Sequence, residues 1–444
     1  MLQTLRNAWK IPELRKKLLY TVLMLVIFRL GSYIPVPGLT SDAISQFMGG
    51  FDGGMQGLLN NFSGGALERG SIFAMSISPY INASIIIQLL TVAIPALERM
   101  AKEGIEGRKK INKITRYVGI ILAFVQGAGL YVTLHNLGVQ NNFQPIANEN
   151  WLSFTVIVLT FVAGTAFIMW LGEVITEKGL GNGVSMIIFA GIVSAIPSGI
   201  GSVWNHFIGD GNVVVSDVIY IALIVIFVVA AIAFVVLFNS AERKIPVQYA
   251  KRVVGRKMYG GQSTNIPIKV VSGGVMPIIF ASSIMAFPST IVRLATSGNI
   301  PQSGIGATLL QMLSPGTGPA WTNVVYAVLY FLLIIFFTYF YASIQFNPVE
   351  IANNIKKNGG FIPAIRPGKP TSDYIAKVSN RLNLAGAIFL GIIAILPVFA
   401  GALFGMTSLQ IGGTSLLIME GVALETGAQI ESQMVMRHYK GFLE

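Results

Sequence analysis

Long apolar stretches separated by short charged segments run through the whole chain, and they constrain its fold more than any other feature. A helix needs about 20 mostly apolar residues to cross a membrane, because no water is present there to satisfy its backbone polar groups. Only 11% of the residues are charged and 53% are hydrophobic, whereas about a quarter of a soluble domain is charged. The sequence therefore predicts an all-α integral membrane protein.

Ten membrane-spanning helices are predicted from the position and length of these apolar stretches. The predicted spans cover residues 18–34, 71–91, 115–134, 151–171, 184–200, 213–238, 274–294, 324–344, 384–400 and 411–424. The N-terminus is basic, and no small-residue cleavage site follows the first apolar run, so this run is predicted to be a retained span.

The distribution of positive charge agrees with an even number of crossings. All but three of the 31 lysines and arginines lie in alternate loops on one side of the predicted spans. Because Lys and Arg concentrate in cytoplasmic loops, both termini are predicted to be cytosolic. The exceptions are Arg29, Arg69 and Arg293.

Ten spans divide into two sets of five that cross the membrane in opposite senses. We predict an N-terminal half, residues 1–205, and a C-terminal half, residues 206–444, with a pathway at their interface. The Gly-rich linker 199–211 is either an external hinge between them or an ordinary short loop.

The motifs of several kinds of chemistry are missing from the sequence. There is no cysteine, the histidines (His135, His206 and His438) are far apart, and no phosphate-binding loop occurs. We therefore expect no catalytic site, metal site or cofactor. The sequence GLGNG at 179–183 is interpreted as a turn in which Asn182 caps the next helix.

Ionisable residues at membrane depth are costly, and the candidates for such a position are Arg29, Glu420 and Glu425. Arg29 lies near the outer end of span 1, where snorkelling favours a structural role. Glu420 lies in the middle of span 10, where it must protonate or destabilise the span if it faces lipid but costs little if it faces an aqueous lumen. With Glu425, it offers too few carboxylates for a convincing proton relay.

The stretch 63–91 is apolar but broken by glycines, Glu68, Arg69 and Pro79. Proline removes a helical hydrogen bond, while Ser76 and Ser78 offer partners to the freed groups, so a bend is expected near Pro79. Irregular backbone at membrane depth persists only inside protein or a water-filled cavity. We predict a short plug inside a cavity, followed by a full helix.

Isoleucine pairs occur at a spacing of four residues on two predicted helices. Ile81 and Ile85 share one face of span 2, and Ile188 and Ile192 share one face of span 5. Such pairs fit ordinary helix packing, but a ring of branched apolar side chains can also exclude water and ions from a pore. The periodicity alone leaves both interpretations open.

Two long basic segments, 239–271 and 343–380, are predicted to be cytosolic loops. Their charge can serve membrane orientation alone. Loops of this length usually bind something, however. The basic residues that suit an acidic surface or RNA phosphates are Lys251, Arg252, Arg256, Lys257 and Arg366.

Several long motifs resemble the SecY family, which forms the channel of the bacterial protein translocase. They are SGGALERGSIFAMSISPYINASIIIQLL, GNGVSMIIFAGIV, QYAKRVVGRKMYGGQSTNIPIKV, NPVEIANNIKKNGGFIPAIRPGKPT and GGTSLLI. The resemblance extends from TVLMLVIFRLGSYIPVPG in span 1 to RHYKGF near the C-terminus. It implies an hourglass pore with a plug, hinged between spans 5 and 6, that exports polypeptides and releases hydrophobic segments sideways into the lipid.

The resemblance also implies a role for particular residues. The pore ring falls on Ile81, Ile85, Ile188, Ile192, Ile279 and Ile418. The plug falls on Phe62, Ser63, Gly64, Gly65, Ala66, Leu67, Glu68, Arg69, Gly70, Ser71, Ile72, Phe73, Ala74 and Met75. The lateral gate, between span 2 and spans 7 and 8, is expected to use cross-helix hydrogen bonds of Ser76, Ser78, Gln126, Ser282 and Ser283.

The partners implied by the resemblance are small SecE-like and SecG-like membrane subunits, the SecA ATPase, the ribosome, signal sequences, nascent polypeptides and membrane lipids. SecA and the ribosome would dock on the two basic loops, where Arg366 matches an important family arginine. The implied location is the bacterial cytoplasmic membrane. Two alternatives are a small-solute transporter of the inverted-repeat type, which needs a polar site near the midplane, and a scaffold for other membrane subunits.

Overall fold

A computed structural model of the chain has a helix at each of the ten predicted spans. It describes residues 2–40, 44, 60, 63–141, 144–146, 150–208, 215–249, 252–254, 257–259, 263–271, 273–295, 305–313, 319–404 and 407–440. The first five spans are α2 (Pro12–Gly31), α3 (Ser78–Ala93), α5 (Ile105–Asn141), α6 (Trp151–Lys178) and α7 (Gly183–Ile208). Two short helices accompany them: α1 (Leu2–Lys10) precedes α2, and α4 (Pro95–Lys102) lies between α3 and α5.

The second five spans follow the same plan with longer connections. They are α8 (Val215–Asn239), α9 (Met276–Ala295), α11 (Ala320–Gln345), α13 (Lys369–Phe404) and α14 (Thr407–Lys440). Two short helices lie between them, α10 (Ile305–Leu313) and α12 (Pro348–Lys357). The predicted helical membrane fold is confirmed.

The helices at the ten spans differ in how apolar they are. Within the described residues, six helices are long and apolar enough to cross a membrane, and α3 with α4 is a seventh if a bend of 101° is allowed. Charges in α2 and polar residues in α14 lower their apolar character. A helix of this kind crosses a bilayer because its polar groups face protein or a cavity instead of lipid.

Two helix boundaries differ from the sequence-based expectation. Helix α3 begins at Ser78 with Pro79 in its first turn, so the proline starts a helix and does not bend one. Proline suits this position because the first turn has no partner for its missing N–H. Helix α7 continues to Ile208 through Pro197, so Gly199 and Gly201 belong to a helix, and the described part of the chain contains no free linker before Ile208.

The segment between α8 and α9 forms β-strands, although the sequence predicted a loop. They are β1 (Glu242–Tyr249), β2 (Arg252–Val254), β3 (Lys257–Tyr259) and β4 (Ser263–Lys269), and β5 (Gly360–Phe361) follows α12. Strand β1 pairs antiparallel with β4 and with β5, and β2 pairs with β3.

These strands have a small hydrophobic core of their own. Ile245 and Val247 alternate with exposed residues along β1 and are buried. They pack with residues of β4, α12, α13 and the turn after β5, namely Ile268, Ile355, Ile362 and Ile375. The two basic segments therefore fold together as one unit, which fixes where their charged side chains are presented.

The largest hydrophobic cluster joins the two sets of five helices. Helix α9 packs on α3 and α5, and α14 packs on α7, so the second set contacts the first on two sides. Helix α11 packs on α9 and α13, and α13 packs on α14. The interior between the two sets is where any pathway through the molecule would lie.

Candidate pore and plug

The six isoleucines that were predicted to form a ring are all buried in this central cluster. They come from four helices: Ile81 and Ile85 from α3, Ile188 and Ile192 from α7, Ile279 from α9, and Ile418 from α14. None is more than 6% exposed. Both sets of helices therefore contribute to one group of aliphatic side chains.

The sequence explains why these side chains meet. Residues four apart lie on the same face of a helix, so α3 and α7 each present two isoleucines in one direction. Isoleucine has no polar atom that could bind an ion or water, and its β-branch leaves it little rotamer freedom. Such a group closes a passage by excluding water.

The chain between Ser63 and Met75 is an irregular segment enclosed by helices, and we call it the plug segment. All of its residues are buried or partly buried, and only its first residue has helical geometry. Ala66 and Phe73 belong to the central cluster that holds the six isoleucines. Leu67, Ala74 and Met75 belong to a second cluster with α5 and α6. Phe62 lies outside the described residues.

Backbone hydrogen bonds attach the plug segment to the chain that follows α2. The N–H of Val36 donates to the carbonyl of Gly70 at 2.9 Å, and the N–H of Ile72 donates to the carbonyl of Ile34 at 3.0 Å. Pro35 and Ser71 form an antiparallel bridge between the two stretches. These bonds satisfy backbone groups that a buried irregular segment would otherwise leave unpaired.

Close packing holds the other side of the plug segment. The ring of Phe73 stacks on Phe28 of α2, with 6.0 Å between centroids, and on Phe167 of α6, with 5.8 Å. Gly31 makes room for this ring, and a Cβ at Gly164 would overlap the carbonyl oxygen of Ile72. Glycine at these two helix positions therefore lets the segment lie directly against α2 and α6.

Arg29 contacts the plug segment, and the sequence did not predict this contact. It donates from Nη1 to the carbonyl oxygen of Gly64 at 2.6 Å, although the sequence favoured a snorkelling side chain. The acceptor is a backbone carbonyl 35 positions away, and a backbone acceptor leaves no residue-type signal in a sequence.

The predicted gate residues lie on α3, α5 and α9 or just before α3, and these are helices through which the two sets contact each other. Ser76 and Ser282 are buried, and Ser78, Gln126 and Ser283 are partly buried. The hydroxyl of Ser282 donates to the carbonyl of Ile279 in its own helix at 2.9 Å, so its proton is not given to a neighbouring helix. A serine hydroxyl often bonds within its own helix in this way.

Glu420 is buried beside the end of α8 and is only 7% exposed. Its Oε2 accepts a hydrogen bond from Asn239 Nδ2 at 3.0 Å, whereas Oε1 has no partner among the described residues. Asn239 is the last residue of α8. The carboxylate thus faces protein at a helix end, next to an amide donor, an environment that the sequence did not predict.

The structure describes three of the five predicted binding residues of the basic segments. Arg252 lies in β2 and Lys257 in β3, while Lys251 and Arg256 lie outside the described residues.

Arg366 is exposed. Its carbonyl accepts a bond from Thr371 Oγ1 at 2.8 Å, and Ala364 nearby has a positive φ of 65°.

The turn before α7 is as the sequence predicted. Asn182 Oδ1 accepts hydrogen bonds from the N–H groups of Val184 and Ser185 at 3.1 and 3.5 Å. Asparagine is a preferred residue at this position because its side chain satisfies free N–H groups of the first turn. Within the described residues, no group of three or more potential metal ligands occurs.

Known proteins resemble the chain in both sequence and fold. The SecY family profile matches residues 71–427. The chain is 45% identical over 449 residues to a protein translocase subunit SecY of Halalkalibacterium halodurans and 44% identical to that of Bacillus subtilis, and each match covers all of both chains. A solved protein-conducting channel superposes with a TM-score of 0.68 at 18% identity, covering 95% of this chain and 93% of the other.

The ten helices, the buried aliphatic cluster and the enclosed irregular segment define a multi-pass membrane protein of the plugged-channel class. A second neighbour supports this class through its fold: Sec61 from a canine ribosome-channel complex, with a TM-score of 0.65 and 17% identity over 95% of this chain and 93% of the other. With a family profile over most of its length and relatives above 40% identity, the chain belongs to the SecY family.

Proposed function

We propose that the protein is a protein-conducting channel, which moves unfolded secretory polypeptides across the membrane and releases hydrophobic segments sideways into the lipid. The observation that carries this proposal is the convergence of six buried isoleucines from both sets of helices, next to an enclosed plug segment. The names of its relatives, protein translocase subunit SecY, agree with this activity.

The six isoleucines form the seal of the proposed pore. A closed pore must offer no ligand to an ion, and aliphatic side chains have none. Spreading the helices widens the group without breaking any polar bond among these side chains. The passage can thus yield to a peptide and close again behind it.

The plug segment provides the second barrier of the proposed pore. The pore opens when the two halves of the chain, residues 1–205 and 206–444, move apart. A signal sequence is itself an apolar helix, so it can replace contacts that α9 makes with α3 and α5. By binding the open arrangement more tightly than the closed one, it shifts the equilibrium toward opening. Ser76, Ser78, Gln126, Ser282 and Ser283 line this lateral gate.

The free energy that drives polypeptide movement through the channel comes from partners that dock on the two basic segments. The SecA ATPase and the ribosome are the proposed partners, and a neighbour of this fold was solved in a ribosome-channel complex. Exposed basic residues such as Arg366 suit an acidic protein surface or RNA phosphates. SecE-like and SecG-like subunits are proposed to bind the lipid-facing helices, in a bacterial cytoplasmic membrane with both termini in the cytosol.

Removing the plug tests the channel function directly. We expect that deleting residues 62–75 makes the purified chain conduct ions in liposomes, while the unaltered chain conducts far less. A transporter or a scaffold would stay tight after the same deletion. The measurement is ion flux into dye-loaded liposomes, with protein-free liposomes as a control. A folded deletion variant that does not leak would contradict the proposal.

Reversing one exposed charge tests the proposed docking surface. We expect Arg366→Glu to abolish SecA-driven export, because a carboxylate repels an acidic partner surface, while helix content and thermal unfolding stay unchanged. The matched control is Lys178→Glu, which reverses an exposed charge at the end of α6, outside both basic segments. Export of a secretory precursor into inverted vesicles is measured. Normal export by Arg366→Glu would remove this arginine from the docking surface.

A further inference from the structure

The first turn of the plug segment is bound by two arginines through the same backbone carbonyl. Arg29, on α2, donates from Nη1 to the carbonyl oxygen of Gly64 at 2.6 Å. Arg69, within the plug segment, donates from Nη1 to the same oxygen at 3.3 Å. Hydrogen bonds from a charged donor are stronger than those between neutral groups.

Tyr33 joins the two arginines through its ring. The guanidinium carbon of Arg29 lies 5.0 Å from the ring centroid, and that of Arg69 lies 4.4 Å from it. Arg29 Nη2 also donates to the Tyr33 hydroxyl at 3.3 Å. Both centroid distances are within the range of a cation–π interaction. One end of α2 therefore contacts the plug segment both directly and through this ring.

Gly64 makes these contacts from a backbone conformation and a position that suit glycine alone. Its φ is 66°, in the left-handed region that favours glycine. A Cβ at this position would overlap Ser194 Oγ and approach the carbonyl of Gly191, both on α7. The turn is thus pressed against α7 while its carbonyl points to α2. Neither arginine forms an ion pair with a carboxylate among the described residues.

We propose that Arg29 is the positioning residue that holds the plug segment in its closed place. Its guanidinium bonds α2 to the first turn of the segment, beyond the stacking of Phe28 on Phe73, and the ring and hydroxyl of Tyr33 hold that guanidinium in position. Opening requires this bond to break before the turn can leave α7. The inference rests on the proposed channel function, and it assigns to Arg29 a role that the six isoleucines do not have.

The test measures both ion flux and the position of the plug in liposomes. The variants are Arg29→Gln, Arg29→Lys and Lys17→Gln, beside the unaltered chain and the chain lacking 62–75. Lys17→Gln removes a cation from the same helix, at a place where it bonds only Gln433 among the described residues. Because the chain has no cysteine, Leu67→Cys, introduced in the plug segment in each variant that keeps it, reports exposure through its labelling rate with a water-soluble maleimide.

We expect Arg29→Gln to raise both the flux and the labelling rate about tenfold or more, because a charge-assisted bond is lost from the closed state. Arg29→Lys should restore most of the closure, since an ammonium also donates to a carbonyl, and Lys17→Gln should match the unaltered chain. If deletion of 62–75 leaks but Arg29→Gln stays tight with unchanged labelling, the inference is wrong and the channel stands. If the deletion does not leak, the channel function itself fails.

Discussion

Glu420 shows how a membrane protein accommodates a buried carboxylate group. Only one of its carboxylate oxygens has a partner among the described residues, the amide of Asn239 at 3.0 Å. Removing a partner from a buried polar group costs about 1–3 kcal/mol, whereas replacing both partners with apolar groups can be nearly neutral. The pair therefore predicts a clear non-additive effect on stability.

We expect Asn239→Ala to lower the stability of the purified protein by about 1–3 kcal/mol, because it leaves the buried carboxylate without an amide donor. The double variant Glu420→Leu/Asn239→Leu should recover much of this loss. Thermal unfolding in detergent for Asn239→Leu, Glu420→Leu and the double variant gives the coupling between the two sites. Additive effects would show that the hydrogen bond contributes nothing to the fold.

For individual residues, the sequence singled out six isoleucines that the structure buries in one cluster, but it gave no sign of the contact that Arg29 makes. The four-residue spacing places Ile81 with Ile85 and Ile188 with Ile192, and the family resemblance added Ile279 and Ile418; the structure buries all six in one cluster. Their role in a pore stays a prediction. The contact of Arg29 with Gly64 had no sequence signal, because any residue can supply a backbone carbonyl.

At the scale of elements, the contact between α6 and the plug segment depends on a residue without a side chain. Gly164 lies where a Cβ would overlap the carbonyl oxygen of Ile72. Alanine is otherwise the better helix former, by about 1 kcal/mol. Gly164→Ala should therefore displace the plug segment and lower the thermal stability, despite its gain in helix propensity.

Gly199→Ala in α7 is the matched control, because a Cβ there has open space around it. It should leave stability unchanged or raise it. Thermal unfolding in detergent is compared for both variants, together with maleimide labelling of Leu67→Cys, which should become faster only with Gly164→Ala. Equal melting and equal labelling in the two variants would show that the plug segment does not depend on this close approach.

Hydropathy predicted the membrane helices well but not their ends or the strands. An apolar run reports that a segment lies in the membrane, whereas the ends depend on local contacts, as in the continuation of α7 to Ile208. The strands were missed because their signal is short: Ile245 and Val247 alternate along β1, within a segment dominated by basic residues. Their burial comes from Ile355 and Ile375, which lie far along the chain in α12 and α13.

For the whole molecule, the number of membrane-spanning helices and the distribution of positive charge together predict the orientation of the protein in the membrane. Basic residues cluster at one set of helix connections, including the strands after α8 and the segment that contains α12. Lys and Arg are retained on the cytoplasmic side during insertion. We therefore predict that both termini and the proposed docking surface lie on one side of the membrane, and that the stretch after α2, which pairs with the plug segment, lies on the other.

Reporter fusions test this arrangement across the chain. We expect alkaline phosphatase fused after Asn141, at the end of α5, to be active, because this enzyme folds only outside the cytosol, and the same enzyme fused after Lys178, at the end of α6, to be inactive. A fluorescent protein that requires the cytosol should give the opposite result at both sites. Since α6 alone separates the two fusion points, they control for each other. An inactive phosphatase after Asn141 would reverse the orientation and place Arg366 outside the cell, where neither an ATPase nor a ribosome could reach it.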